Sequence, residues 1–65
     1  MNKISFEKWR NFRAEYYGNP NHLRLGQAFI NKFYPNSGDS TSYLYYETDN
    51  KYAERLILQD FVEGG

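Results

Sequence analysis

The chain has 65 residues, no cysteine and a formal net charge of zero. These properties exclude several domains, a disulfide framework and a thiolate metal site. A single core in a chain below about 70–80 residues rarely contributes more than about 3–5 kcal/mol. Aromatic residues make up 20% of the sequence, and each ring buries about 150–250 Å². We therefore expect one small domain, residues 1–65, with an aromatic core and surplus tyrosines on a contact surface.

Charge is divided unevenly between the two halves of the chain. Residues 1–34 carry six basic and two acidic residues, a net charge of +4, whereas residues 35–65 carry two basic and six acidic residues, a net charge of −4. This pattern predicts attraction between the first and last helices, with an external charged partner as the alternative. No apolar run approaches the about 20 residues of a membrane span or the about 7–15 of a signal-peptide core. We expect a cytoplasmic protein without a membrane partner.

The first predicted helix covers residues 6–17. Its rings recur at the three- and four-residue spacing of one helix face, at Phe6, Trp9, Phe12, Tyr16 and Tyr17. Ser5 precedes this run and is the expected N-cap. Gly18 follows it and is the expected left-handed C-terminal cap.

The second predicted helix covers residues 20–34. Asn19 can cap it, and Pro20 suits the first helical position because the missing N–H is not needed there. Pro35 ends it. Its expected buried arc consists of Leu23, Gly26, Phe29, Ile30, Phe33 and Tyr34. Gly26 would allow close approach of another helix.

Residues 35–42 combine turn-forming residues with no large apolar side chain, which predicts a polar surface loop. The following segment, residues 43–46, is Tyr-Leu-Tyr-Tyr. Its composition favours a strand, while its length also allows a short helical turn, and both conformations stay open.

The third predicted helix covers residues 50–62, with Thr48 or Asp49 as its N-cap. Its expected inner face consists of Tyr52, Ala53, Leu56, Ile57 and Phe61. Leu58 and Val62 fall on the opposite side, where an exposed apolar pair would suit a homo-oligomer interface. Together the three segments predict an all-α fold, a compact three-helix bundle.

Two charges fall on faces that should be apolar: Arg13 in the first helix and Asp60 in the third. A charge on a buried stripe needs a partner. We expect Arg13 and Asp60 to meet across these helices, or Arg13 to stack on an aromatic ring.

Catalytic signatures are nearly absent. His22 is the only histidine, and we expect it to face solvent rather than to activate a nucleophile. Glu47, Asp49 and Asp60 do not match the alternate-position spacing of a calcium loop, and helix capping explains Asp49. We predict no enzymatic activity, no metal site and no cofactor.

One motif carries a family resemblance. Trp9-Arg10 in the opening helix precedes an Arg-Leu-Gly-Gln-Ala-Phe segment at residues 24–29, then an aromatic-acidic turn at residues 44–49 and Ala53. This order resembles that of small uncharacterised accessory proteins of phages and prophages. The polar segment at residues 36–41 departs from their pattern. The resemblance implies a phage or mobile-element source and stoichiometric action on a host protein, as an inhibitor or modulator in host takeover or anti-defence.

Partner binding is the function that these features predict. The expected contacts are Tyr43, Tyr45 and Tyr46 together with a basic strip formed by Arg10, Arg24 and Lys32. A nucleic-acid-binding regulator is the main alternative, using the same basic strip with Tyr16 and Tyr17 as stacking platforms. The isoelectric point of about 6.5 and the acidic second half count against it. A small homo-oligomeric structural protein is the third hypothesis.

Overall fold

The chain folds into four α-helices and one short 3₁₀ helix within residues 2–19 and 22–64, the parts that the computed structural model describes. Their bounds are Phe6–Gly18 (α1), Leu25–Phe33 (α2), Gly38–Thr41 (the 3₁₀ helix), Ser42–Tyr45 (α3) and Asn50–Asp60 (α4). The all-α prediction is confirmed. The three-helix count is corrected, because α3 is an additional short helix between the second and third predicted ones. None of the helices described is long and apolar enough to cross a membrane.

Helix α1 matches its predicted bounds closely. Ser5 caps it as predicted, its hydroxyl accepting a hydrogen bond from the Lys8 backbone N–H at 3.2 Å. The prediction for Gly18 is wrong, because among the described residues only Gly38 and Gly64 have a positive φ. The C-cap is instead Asn19, whose backbone and side-chain amides both donate to the carbonyl of Glu15, at 3.2 and 3.0 Å.

Helix α2 begins later than predicted. The proposed Pro20 start lies outside the described residues, but residues 22–24 are not helical and the first helical residue is Leu25. Its N–H donates to the side-chain oxygen of Asn50, at 3.1 Å, and the Tyr16 hydroxyl donates to the carbonyl of Leu23 at 2.6 Å. Side chains of α1 and α4 therefore fix where α2 starts. Its end agrees with the prediction, since Tyr34 is the C-cap.

The core is an aromatic cluster built around Phe29 of α2. This side chain is fully buried, and its ring lies 5.0–6.1 Å from five other rings. These are Trp9, Phe12, Phe33, Tyr34 and Phe61. Because α2 contacts α1, α3 and α4, it is the central element of the fold. Leu23, predicted to be buried with this helix, is exposed.

Residues 35–42 are more ordered than the loop predicted for them. The 3₁₀ helix occupies residues 38–41, and Thr41 is buried. The hydroxyls of Ser37 and Thr41 are hydrogen-bonded at 2.5 Å, and the Ser37 hydroxyl also donates to the Tyr34 carbonyl. These short-range hydrogen bonds replace the apolar contacts that the segment lacks.

Residues 43–45 are helical rather than extended, and Tyr46 is the C-cap of α3. Leu44 on α3 is fully buried, and its backbone lies against Gly26 of α2. A Cβ placed on Gly26 would be only 2.2 Å from the Leu44 carbonyl oxygen. The predicted close approach at Gly26 is confirmed, and α3 is the element that makes it.

Helix α4 begins as predicted and ends two residues early. Asp49 is the N-cap, its carboxylate accepting from the backbone N–H groups of Lys51 and Tyr52 at 2.9 and 3.3 Å. Ala53 and Ile57 are buried as expected. Tyr52 is not, because half of its side-chain surface is exposed.

The predicted exposed pair of Leu58 and Val62 is wrong. Val62 is fully buried and lies beyond the end of α4, where it forms a parallel β-bridge with Ile4. The Ile4 N–H donates to the Phe61 carbonyl, and the Glu63 N–H donates to the Ile4 carbonyl, both at 2.8 Å. Because the helix ends at Asp60, Val62 turns inward and cannot contribute to a homo-oligomer interface.

The Gly26 contact yields a stability prediction. We expect Gly26→Ala to lower the free energy of unfolding by about 1–3 kcal/mol, because the added methyl group meets backbone of α3 that has to move. Gly18→Ala is the matched control, since a Cβ there meets nothing within 4 Å. It should be neutral or raise stability by about 0.4–1 kcal/mol. Urea denaturation followed by circular dichroism measures both, and equal stability of the two variants would contradict the contact.

Candidate binding surfaces

Two of the three predicted contact tyrosines lie together. Tyr45 and Tyr46 form an edge-to-face pair with ring centroids 5.1 Å apart. Tyr45 is half-buried, and its hydroxyl accepts a hydrogen bond from the Gln27 side chain at 3.1 Å. Tyr46 has 67% of its surface exposed, the largest value among the exposed large apolar and aromatic side chains described.

These two tyrosines line a groove of about 330 Å³ between the end of α2 and the 3₁₀ helix. We call it the tyrosine groove. Its other lining residues are Ile30, Asn31, Pro35, Ser37, Gly38, Asp39, Thr41 and Ser42. The aromatic pair supplies apolar contact, and the hydroxyl, amide and carboxylate groups of the other lining residues supply hydrogen-bonding capacity.

Tyr43 is separated from this groove by its own contacts. Its hydroxyl donates to a carboxylate oxygen of Asp60 at 2.7 Å, and its ring stacks against Phe61 at 6.4 Å between centroids. Burial, followed by the hydrogen bond to Asp60, raises the pKa of Tyr43 to about 12. Tyr43 therefore packs against the C-terminal end of α4.

The three residues of the predicted basic strip lie on two helices and have different surroundings. Lys32 lies 3.7 Å from the carboxylate of Glu15 on α1. Arg10 is on α1 as well, but helical geometry places it about 140° around the axis from Glu15. Arg24 is the N-cap residue of α2, and its Nε is buried without a hydrogen-bond partner among the described residues.

The aromatic platforms of the nucleic-acid hypothesis have intramolecular roles. Tyr16 is half-buried and donates to the Leu23 carbonyl. Tyr17 donates its hydroxyl to Glu54 at 2.6 Å. The ring centroids also lie 5.1 Å apart, so both rings have partners within the fold.

Arg13 pairs with Glu54 rather than with Asp60, so the predicted Arg13–Asp60 pair is wrong. The Arg13 Nε lies 2.7 Å from a Glu54 carboxylate oxygen. Its guanidinium also lies 5.2 Å from the centroid of the Tyr17 ring, which confirms the stacking alternative. Glu54 precedes Asp60 by six residues, about 9 Å along a helix axis, and Asp60 is bound by Tyr43 instead.

The Arg13–Glu54 pair joins the basic first half of the chain to its acidic second half, as the charge distribution predicts. The hydrogen bond to Glu54 and its negative charge raise the pKa of Arg13. Burial raises the pKa of Tyr17 to about 12, with a further contribution from its hydrogen bond to Glu54.

A second groove, of about 640 Å³, runs beside this pair. We call it the basic groove. It is lined by Arg13, Tyr17, Lys51, Glu54, Arg55 and Leu58. Sequence reasoning missed it, although the four-residue spacing of Lys51 and Arg55 places both on one face of α4.

No metal centre is visible in the described part of the chain, where no three histidine, cysteine, aspartate or glutamate side chains lie close enough to hold an ion. The three acidic residues that do not fit a calcium loop have other partners. Glu47 accepts from the Asp49 backbone N–H at 2.9 Å, Asp49 caps α4, and Asp60 accepts from Tyr43. His22 is exposed, as predicted.

Comparison with known proteins finds no relative on which to base a function. No protein-family model, no curated protein and no solved structure matches the chain. The function of the chain is therefore inferred from the geometry of its two grooves.

The raised pKa values of Tyr17 and Tyr43 predict that the stability of the fold decreases at alkaline pH. Because the pKa values of Tyr17 and Tyr43 are raised from 10.0 to about 12, the unfolded chain ionises these groups first. Their contribution to stability should be complete below pH 10 and be lost between about pH 10 and 12. We expect a shallower loss over this range in a Tyr17→Phe, Tyr43→Phe double variant.

Urea denaturation at a series of pH values measures this difference, with the wild type and the double variant studied side by side. Identical pH dependence of the two proteins would mean that neither phenol is held protonated by the fold.

Proposed function

We propose that this chain is a non-enzymatic binding protein whose main contact with a protein partner is the tyrosine groove. The exposure of Tyr46 carries the proposal: among the large apolar and aromatic side chains of the described residues it is the most exposed. Tyrosine is enriched at protein interfaces because a rigid ring buries much area while its hydroxyl still finds a polar partner.

The surroundings of Tyr46 also suit a protein interface. Tyr45 fixes one side of the groove through its hydrogen bond with Gln27, so little side-chain entropy remains to be lost there on binding. Asn31 and Ser42 supply polar groups next to the rings. A fixed tyrosine beside an exposed one, with polar groups next to both, suits a binding hot spot, where tyrosine is enriched.

A non-enzymatic role is supported by the chemistry of the grooves. The tyrosines with raised pKa values, Tyr17 and Tyr43, keep their protons at neutral pH and so do not serve as bases. The tyrosine groove contains no histidine, lysine or cysteine among its described lining residues. Hydrogen bonding and apolar contact remain as its chemistry.

The resemblance to phage accessory proteins guides the choice of partner. We propose a host protein or protein complex in the host cytoplasm, inhibited or modulated stoichiometrically in host takeover or anti-defence. Arg10, Arg24 and Lys32 stay predicted contacts outside the tyrosine groove, each reaching the partner separately. A nucleic-acid partner and self-association are outcomes that a capture experiment distinguishes.

Replacement of Tyr46 tests this function. We expect immobilised wild-type protein to retain a specific host protein from lysate. The Tyr46→Ala variant should bind that protein at least about tenfold more weakly, as expected for a hot spot of about 2 kcal/mol. Tyr52→Ala is the matched control, because Tyr52 is also half exposed but lies on α4. It should retain the partner fully.

The same capture, repeated after nuclease treatment, separates protein from nucleic acid. Equal losses in both variants, or a partner removed by nuclease, would contradict the proposal. If the immobilised protein retained only further copies of the same chain, the result would indicate self-association instead.

A further inference from the structure

The basic groove has a net positive charge. Arg13, Lys51 and Arg55 line it against one carboxylate, that of Glu54. Lys51 and Arg55 are one helical turn apart on α4, a spacing at which like charges destabilise a helix. Neither makes an ion pair within residues 2–19 and 22–64. An anion bound between them would remove this repulsion.

Glu54 offsets one of these three positive charges, and each of its oxygens already accepts a hydrogen bond from within the fold. One accepts from the Nε of Arg13 and the other from the hydroxyl of Tyr17. The terminal guanidinium nitrogens of Arg13 make no hydrogen bond to any described residue, and half of this side chain is exposed. A guanidinium presents paired donors that match a carboxylate.

The length of the groove sets the size of the segment that fits in it. From Lys51 to Leu58 the helix axis advances about 10 Å, which an extended peptide spans with about three residues. Leu58 and Tyr17 add apolar surface that a peptide side chain can cover.

We propose that the basic groove binds a short acidic protein segment, at a site separate from the tyrosine groove and in addition to the binding function assigned to that groove. Arg13, Lys51 and Arg55 contact its carboxylates, and Leu58 contacts an apolar side chain between them. A nucleic-acid strand would match the cations as well, but its phosphates would leave the apolar surface of Leu58 uncovered, so the lining of the groove favours a peptide that carries both kinds of side chain.

Fluorescence anisotropy with a labelled Gly-Glu-Glu-Leu-Glu-Glu-Gly peptide at low ionic strength tests the proposal. We expect saturable binding to the wild type and binding weakened about three- to tenfold in a Lys51→Gln, Arg55→Gln double variant, because two exposed charge pairs are lost. A peptide with glutamine in place of glutamate should not bind. The Lys3→Gln, Lys8→Gln double variant changes net charge equally and should keep the wild-type affinity.

Several results would overturn the assignment: no saturable binding, equal losses in the two double variants, or a glutamine peptide that binds as well. Tighter binding of single-stranded oligodeoxythymidine that Lys51→Gln, Arg55→Gln abolishes would identify a nucleic-acid site instead. Removing the like-charge pair should leave thermal stability unchanged or higher, and a lower melting temperature would show that these side chains have partners within the fold.

Tyr46→Ala should not alter peptide binding. Failure of the basic-groove proposal and failure of the tyrosine-groove proposal are therefore distinguishable.

Discussion

The burial of the Phe29 ring among five other rings is the interaction on which this small fold depends. A chain of this length has no disulfide and, with a single core, a net stability of only about 3–5 kcal/mol. One large ring contributes an amount of the same order. Because Phe29 touches Trp9 and Phe12 on α1 and Phe61 beyond α4, it connects both ends of the chain to α2. The other elements are positioned by that connection.

The packing of the core also determines where the tyrosine groove and the basic groove form. Leu44 enters the core against Gly26, and this contact holds α3 so that the Tyr45–Tyr46 pair stands at the surface. On the other side, packing of α1 and α4 around the cluster brings Arg13 to Glu54 and leaves the remaining cations of α4 uncompensated. One groove is thus aromatic and the other cationic, although the whole chain has no net charge.

Local signals in the sequence predicted what local interactions determine. The bounds of α1, its Ser5 cap and the Asp49 cap of α4 depend on neighbours within a few residues, and these predictions agree with the structure. The predicted start of α2 does not agree. The first helical N–H, that of Leu25, donates to the side chain of Asn50, which lies 25 residues away in the sequence. Val62 was misplaced because its burial depends on a bridge with Ile4. The charge distribution predicted that the first and last helices attract each other, but not that Arg13 would pair with Glu54 and so lie beside Lys51 and Arg55 in the basic groove.

The most direct test of the central role of Phe29 is the free energy of unfolding of Phe29→Ala, measured by urea denaturation. Truncating a fully buried phenylalanine costs about 3–5 kcal/mol, an amount comparable to the entire net stability of such a chain. We expect this variant to lose its cooperative transition at room temperature, whereas Phe6→Ala, which removes a ring 54% exposed on α1, should retain it. A Phe29→Ala protein that still unfolds cooperatively, with a loss below about 1 kcal/mol, would contradict the central role of this ring.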